Sequence, residues 1–136
     1  MFKLGESSLK VLRLAHSDFS IVAHYLMYHQ IMDFAVRESY RTEESQNEAY
    51  DKELSKFLYP DSKHNKIPSD AVHFIPYVNG KPSYSKIDAC RLNGHIEILA
   101  NQLKLKLRCG WNWDMDEVVI EDQKFNDLNH WERINA

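Results

Sequence analysis

The chain is poor in cysteine: it has two, Cys90 and Cys109, among 136 residues. Two are too few for a disulfide framework, and their spacing is not that of a metal or redox pair, so both read as core thiols. Positive charge is not in excess either. Seventeen Lys and Arg stand against 20 Asp and Glu, a net charge of −3, which argues against a nucleic-acid partner held through phosphates. No apolar run approaches the ~20 residues of a bilayer span, so no membrane insertion is expected. The opening stretch MFKLGESSLKVLRLAHSD is too charged and broken for a signal peptide, which places the protein at first in the cytosol. Repeats, low-complexity tracts and linkers are missing as well. The length suits one core, so residues 1–136 read as a single domain, expected to be a monomer.

What is present reads as a folded mixture of helices and strands. Hydrophobic residues make up 43% and charged residues 27%. After Ser17-Asp18, the residues Phe19, Val22, Ala23 and Leu26 recur at helical spacing and predict an amphipathic helix to about His29. Ile31 to Val36 reads as a strand, and a polar helix starts at about Thr42, its first turn favoured by Glu43 and Glu44. Leu58 to Ser69 reads as a loop. Ala71 to Val78 reads as a strand closed by the hairpin pair Asn79-Gly80. Ser85 with Asp88 resembles a capping box ahead of a long helix over about Lys86 to Lys104. That helix carries two adjacent apolar stripes, Ile87/Cys90/Ile98 and Leu92/Ile96/Leu99/Leu103, which predict burial over a broad face. Leu105 to Cys109 and Asn129 to Ile134 read as further strands. The fold class is α+β.

Seven histidines is a high count for this length. His16, His24, His29 and His95 fall on or beside helices and read as surface or satisfied core imidazoles. His64, His73 and His130 each lie where loop meets strand. Zinc sites that do chemistry take three protein ligands and leave the fourth position to water, so these three form a candidate set. Asp127 precedes His130 by three residues in DLNH, where a carboxylate can take the proton of an activated water. Scattered histidines and an Asp-x-x-His also arise by chance, and spacing leaves that alternative open.

Five pieces in order resemble the D-Ala-D-Ala metallopeptidase (VanY-like) family, most closely its single-domain phage endolysins that are L-alanyl-D-glutamate peptidases. They are DFAVRESYRTEESQ with its Arg-Thr-x-x-x-Gln, SKH, DAVHFIPYVNGK, LKLRCGWNW and DLNHWE. The resemblance runs over nearly the whole chain. It implies a small antiparallel sheet with flanking helices, the zinc-peptidase fold of the D-Ala-D-Ala carboxypeptidase/hedgehog type. It implies Zn²⁺ as cofactor and the stem peptide of peptidoglycan as substrate, cut at an amide bond such as L-Ala-D-Glu during phage lysis. The protein would wait in the host cytoplasm and act on the periplasmic murein. Carried over by position, His64 matches the first metal ligand, His130 the last, Asp127 the general base and Arg41 the arginine beside the substrate.

The middle ligand departs from the pattern, which has aspartate where this chain has His73. The stretch between the first two ligands is also longer than the family's, and Ser69 replaces a customary glycine. Three readings stay open: His73 as ligand, Asp70 brought in through the longer loop, or a lost site in an inactive relative that binds murein or a protein. Three neutral imidazoles would leave a divalent ion one positive charge more than two imidazoles and a carboxylate do, and would favour an anionic substrate. Asp114, Asp116, Glu121 and Asp122 form an acidic loop that could bind Ca²⁺ but lacks the EF-hand pattern; a solvated loop is the alternative.

Overall fold

The computed structural model describes residues 1–111, 115 and 127–134. Along them run α1 (Glu6–Arg13), α2 (Ser17–His29), β1 (Asp33–Arg37), α3 (Glu43–Asp51), β2 (Ala71–Val78), β3 (Lys81–Pro82), α4 (Lys86–Gln102), β4 (Leu107–Gly110) and β5 (Asp127–Arg133). The strands form one antiparallel sheet in the order β1-β2-β5-β4, with β3 pairing the far end of β2. The expected α+β class and antiparallel sheet are observed. The acidic residues Asp114, Asp116, Glu121 and Asp122 lie outside the described residues.

Side chains alternate across the sheet, and this divides the molecule into a core face and a site face. Phe34, Val36, Val72, Phe74, Leu107, Cys109 and Trp131 point into the core, where they meet Leu12 of α1, Phe19, Val22 and Leu26 of α2, and Leu92, Ile96 and Leu99 of α4. The other parity of the same strands carries His73, His130, Glu132 and Arg108. His73 lies directly opposite His130, and Arg108 opposite Glu132.

The hairpin after β2 forms as read: Asn79 and Gly80 have φ of 53° and 76°, the left-handed pair such a turn needs. Three expectations change. The stripe Ile87/Cys90/Ile98 is not buried as a unit, since Ile87 and Ile98 are exposed while Leu92 and Ile96 are fully covered; α4 lies on the sheet by one narrow face. Ser85 caps α4 by accepting from the Ile87 amide, but Asp88 accepts from the Ser83 hydroxyl instead of completing a capping box. Helix α1 was not expected. It buries Ser8 and Leu12 and covers the edge strand: the Val36 amide of β1 donates to Ser8 Oγ at 3.0 Å.

Strand β5 is held to α4 by one buried amide. Asn93 Nδ2 donates to the Leu128 carbonyl at 2.8 Å, and Trp131 Nε1 donates to Asn93 Oδ1 at 2.9 Å, so the contacts flank His130. Replacing Asn93 with Leu strands a buried indole N–H and a carbonyl. It should cost about 1–3 kcal/mol in urea unfolding; a loss below about 0.5 kcal/mol would show that the amide does not anchor the strand.

Candidate metal centre and cleft

Each of the three expected imidazoles comes from a different local structure. His73 projects from the middle of β2, its place set by strand parity. His130 projects from β5 as its cross-strand partner. His64 sits in a short 3₁₀ turn, Lys63–Asn65, inside the segment read as loop. That turn is closed by Ser62 and Asn65, whose side chains each bond the other's backbone amide. The turn is tied down where the Arg41 amide donates to the His64 carbonyl at 2.7 Å and Asn65 Nδ2 donates to the Arg41 carbonyl at 3.1 Å. Though its neighbours in sequence are polar, His64 is 2% exposed.

The three rings meet face to edge, with centroids 5.1, 5.1 and 5.5 Å apart. One nitrogen of each lies within 4.8 Å of the others. The hydrogen bonds behind them define the tautomers. His64 Nδ1 donates to the Ser39 carbonyl at 2.8 Å, which leaves a lone pair on Nε2. His130 Nε2 donates to Glu132 Oε1 at 2.9 Å, which leaves a lone pair on Nδ1. Those two unprotonated nitrogens face each other at 3.3 Å. Ligands about 2.1 Å from a tetrahedral ion stand about 3.4 Å apart, so this pair already has the spacing of a metal site.

Electrostatics keep His64 and His73 neutral. Burial pushes the His64 pKa well below the usual 6.5, and the neighbouring His73, His130 and Arg41 push in the same direction. Burial also lowers that of His73, against the opposing pull of Asp127. Neutral imidazole is the form that ligates a cation. Behind His130, Glu132 is held ionised. Its burial alone would raise its pKa, but the bonds from His130 and Arg108 outweigh that and bring it down to about 2. Arg108 Nη2 donates to Glu132 Oε2 at 2.6 Å, and Lys63 Nζ lies 3.3 Å from the same oxygen.

Asp127 and His130 are three residues apart and on a regular strand would face opposite ways. A register break between Cys109 and Gly110 in the β4–β5 pairing removes that constraint. Asp127 Oδ2 comes to lie 3.9 Å from His73 Nε2. Arg41 is buried instead of facing solvent: its Nε donates to Glu38 Oε1 and its Nη1 to Gln46 Oε1 at 2.9 Å. Asp70, the alternative ligand, is outside the cluster. Its carboxylate accepts from Arg133 Nη1 at 2.9 Å and pairs with Lys66 Nζ at 3.4 Å.

The histidines, Asp127 and Arg41 all line one cleft of about 800 Å³. Its far wall is apolar, built from Ala49, Leu54 and Phe57, and Gln46 holds that wall by donating to the Phe57 carbonyl at 2.6 Å. Among the described residues the charges along the cleft balance, with Glu38, Asp61, Asp127 and Glu132 against Arg41, Lys56, Lys63 and Arg108. Reading the sequence missed Glu38, Gln46, Arg108 and Glu132. Glu132 was within reach, since it stands two residues after His130 on one strand and shares its face. Arg108 depends on cross-strand register and Glu38 on a backbone kink, neither of which has a local signature.

Three imidazoles that each offer a nitrogen to one small space, in an open cleft beside a carboxylate and an arginine, could hold a single metal ion. Comparison with known proteins agrees. The family model described as phage L-alanyl-D-glutamate peptidase matches residues 1–134. The L-alanyl-D-glutamate peptidase of Escherichia phage T5 is 31% identical over 116 residues, which cover 83% of this chain and 82% of that protein. In fold, the chain is similar to the crystal structure of the Serratia marcescens L-Ala D-Glu endopeptidase ChiX, with a TM-score of 0.78 at 19% identity over 98% of this chain and 90% of that one. The chain therefore belongs to the phage L-alanyl-D-glutamate peptidase family.

The lowered pKa values dictate how stability depends on pH. The unfolded chain takes up protons on its histidines below about 6.5, whereas folded His64 and His73 do not until lower pH. Stability of metal-free protein should therefore be full above about pH 6.5 and fall as the pH drops through that window. Glu132 adds a second loss as pH falls from its usual 4.5 toward about 2. Urea midpoints in chelator between about pH 8 and about pH 5 test this. His64→Gln should flatten the slope; a wild-type midpoint that does not move would contradict the neutral cluster.

Proposed function

We propose that this protein is a metal-dependent murein peptidase of phage lysis, with His64, His73 and His130 as ligands to Zn²⁺, Asp127 as general base and Arg41 as an electrostatic partner of the substrate. The observation that carries the reading is the 3.3 Å approach of two unprotonated ring nitrogens, His64 Nε2 and His130 Nδ1. Two lone pairs at that distance call for a proton or a cation between them, and a divalent ion would satisfy both nitrogens at once. The donor set suits zinc, for which a three-histidine site with one open position is a known arrangement.

The substrate on this reading is the stem peptide of peptidoglycan, cut at the L-Ala-D-Glu bond that the relatives' names specify. A bound zinc ion supplies Lewis acidity toward the scissile carbonyl and makes a water more acidic. Asp127, 3.9 Å from His73 Nε2, accepts the proton of the attacking water and returns it to the leaving amine. The guanidinium of Arg41, fixed by Glu38 and Gln46, faces the negative charge that develops on the carbonyl oxygen. The lining charges of the cleft cancel, so a divalent ion makes it net positive, which suits an anionic peptide. The wall of Ala49, Leu54 and Phe57 offers a seat to methyl groups such as that of L-Ala. No helix among the described residues is long and apolar enough to cross a membrane. On this reading the protein stays in the host cytoplasm until lysis and acts as a monomer.

Purified murein digested by zinc-loaded protein should release fragments whose new amino terminus is D-Glu by mass spectrometry. Asp127→Asn should lower kcat about 10²–10⁴-fold with metal retained, and Arg41→Ala about 10²–10³-fold. His130→Ala or a strong chelator should abolish both metal and cleavage. Release of terminal D-Ala instead would make the enzyme a carboxypeptidase. Murein binding without metal or cleavage would make it an inactive relative.

A further inference from the structure

An imidazole has two nitrogens, and only one can face an ion; something must decide which. For His64 the decision is made by the Ser39 carbonyl, and for His130 by Glu132. His73 has no such bond as short as these. It stands where the family pattern has an aspartate, a ligand that needs no steering because either oxygen will serve.

The neighbour of His73 on its outer side is Glu38. This residue follows β1 with φ of 50°, a left-handed conformation that residues other than glycine rarely adopt. The kink sends successive residues to successive rings: the Ser39 carbonyl to His64, and the Glu38 carboxylate to His73, with Oε2 3.7 Å from Nδ1. The carboxylate cannot swing freely, because its other oxygen accepts from Arg41 Nε and Arg41 is buried and held by Gln46. The opposite nitrogen of His73, Nε2, faces Asp127 at 3.9 Å. If the ring turned its N–H that way, Asp127 would be engaged and unable to take a proton from water.

We propose that Glu38 is a positioning residue for His73: its carboxylate accepts the Nδ1 proton, which commits Nε2 to the metal and leaves Asp127 free. The proposal rests on the metal reading above, and its test separates the two.

Zinc affinity of the full-length protein is measured by competition with a chromophoric chelator, alongside the visible spectrum of the Co²⁺ form and the melting temperature of the metal-free form. Glu38→Gln should weaken zinc binding about 10-fold and Glu38→Ala up to about 100-fold. Both should alter the Co²⁺ bands, and Glu38→Gln, which can still accept from Arg41 Nε, should leave metal-free melting close to wild type. In a His73→Asp background, where no ring remains to be steered, Glu38→Gln should change zinc affinity less than about 3-fold. Wild-type affinity and spectrum in Glu38→Gln and Glu38→Ala would overturn the proposal. So would an equal loss in both backgrounds, which would mean that Glu38 acts through Arg41 or the backbone. A wild-type chain that takes up no zinc overturns this proposal together with the metal reading, whereas zinc uptake indifferent to Glu38 removes this proposal alone.

Discussion

Three imidazoles crowded into a common space are the constraint on which the rest of this structure depends. Neutral rings with lone pairs turned toward one another repel, and each must be held from behind. The holding groups are an amide carbonyl and two carboxylates: Ser39 on His64, Glu132 on His130, and Glu38 beside His73. Those groups are held in turn. Glu132 is gripped by Arg108 and Lys63, and Glu38 by Arg41. The cost of burying these polar groups is offset because Glu38 and Glu132 are each hydrogen-bonded and each have a cation beside them.

The fold delivers this arrangement by dividing one antiparallel sheet into two faces. On one face, Phe74, Trp131 and their neighbours bury against α1, α2 and α4. On the other, the same alternation puts His73 and His130 side by side. A sheet central to the core is a rigid base, which a site with tolerances of a few tenths of an ångström requires. The elements that sheet geometry cannot supply are added by irregularity: a 3₁₀ turn for His64, a left-handed residue at Glu38 and a register break that turns Asp127 inward. These three departures from regular structure each place a group at the site.

Much of this was legible in the residues. The bounds of β2, the hairpin at Asn79-Gly80 and the helix from Ser17 to His29 match the local patterns, because period and turn chemistry are local properties. The histidines that share the cluster were also separable from the other four, since His64 and His130 matched the family's motifs and His73 stood where the motif has aspartate. What was not legible depends on distant partners. Ile87 and Ile98 look buried on a helical wheel, but nothing packs over them. His64 sits among polar neighbours and is nonetheless covered, because the chain around Ser39 and Asn65 folds over it. Helix α1 was legible in principle, since its eight residues are amphipathic, but it was not among the expected elements.

The departure at His73 bears on charge as well as geometry. With lining charges in balance, the ion's two positive charges are not cancelled within the cleft, and the carboxylates nearest the rings face cations of their own. The account therefore stands on where one ion sits and what touches it. The most direct measurement is a crystal structure of zinc-loaded protein with anomalous scattering recorded at the zinc edge. The account predicts a single peak about 2.0–2.1 Å from His64 Nε2, His73 Nε2 and His130 Nδ1, with an oxygen ligand in the fourth position. A peak elsewhere, or a ligand set without His73, would contradict it.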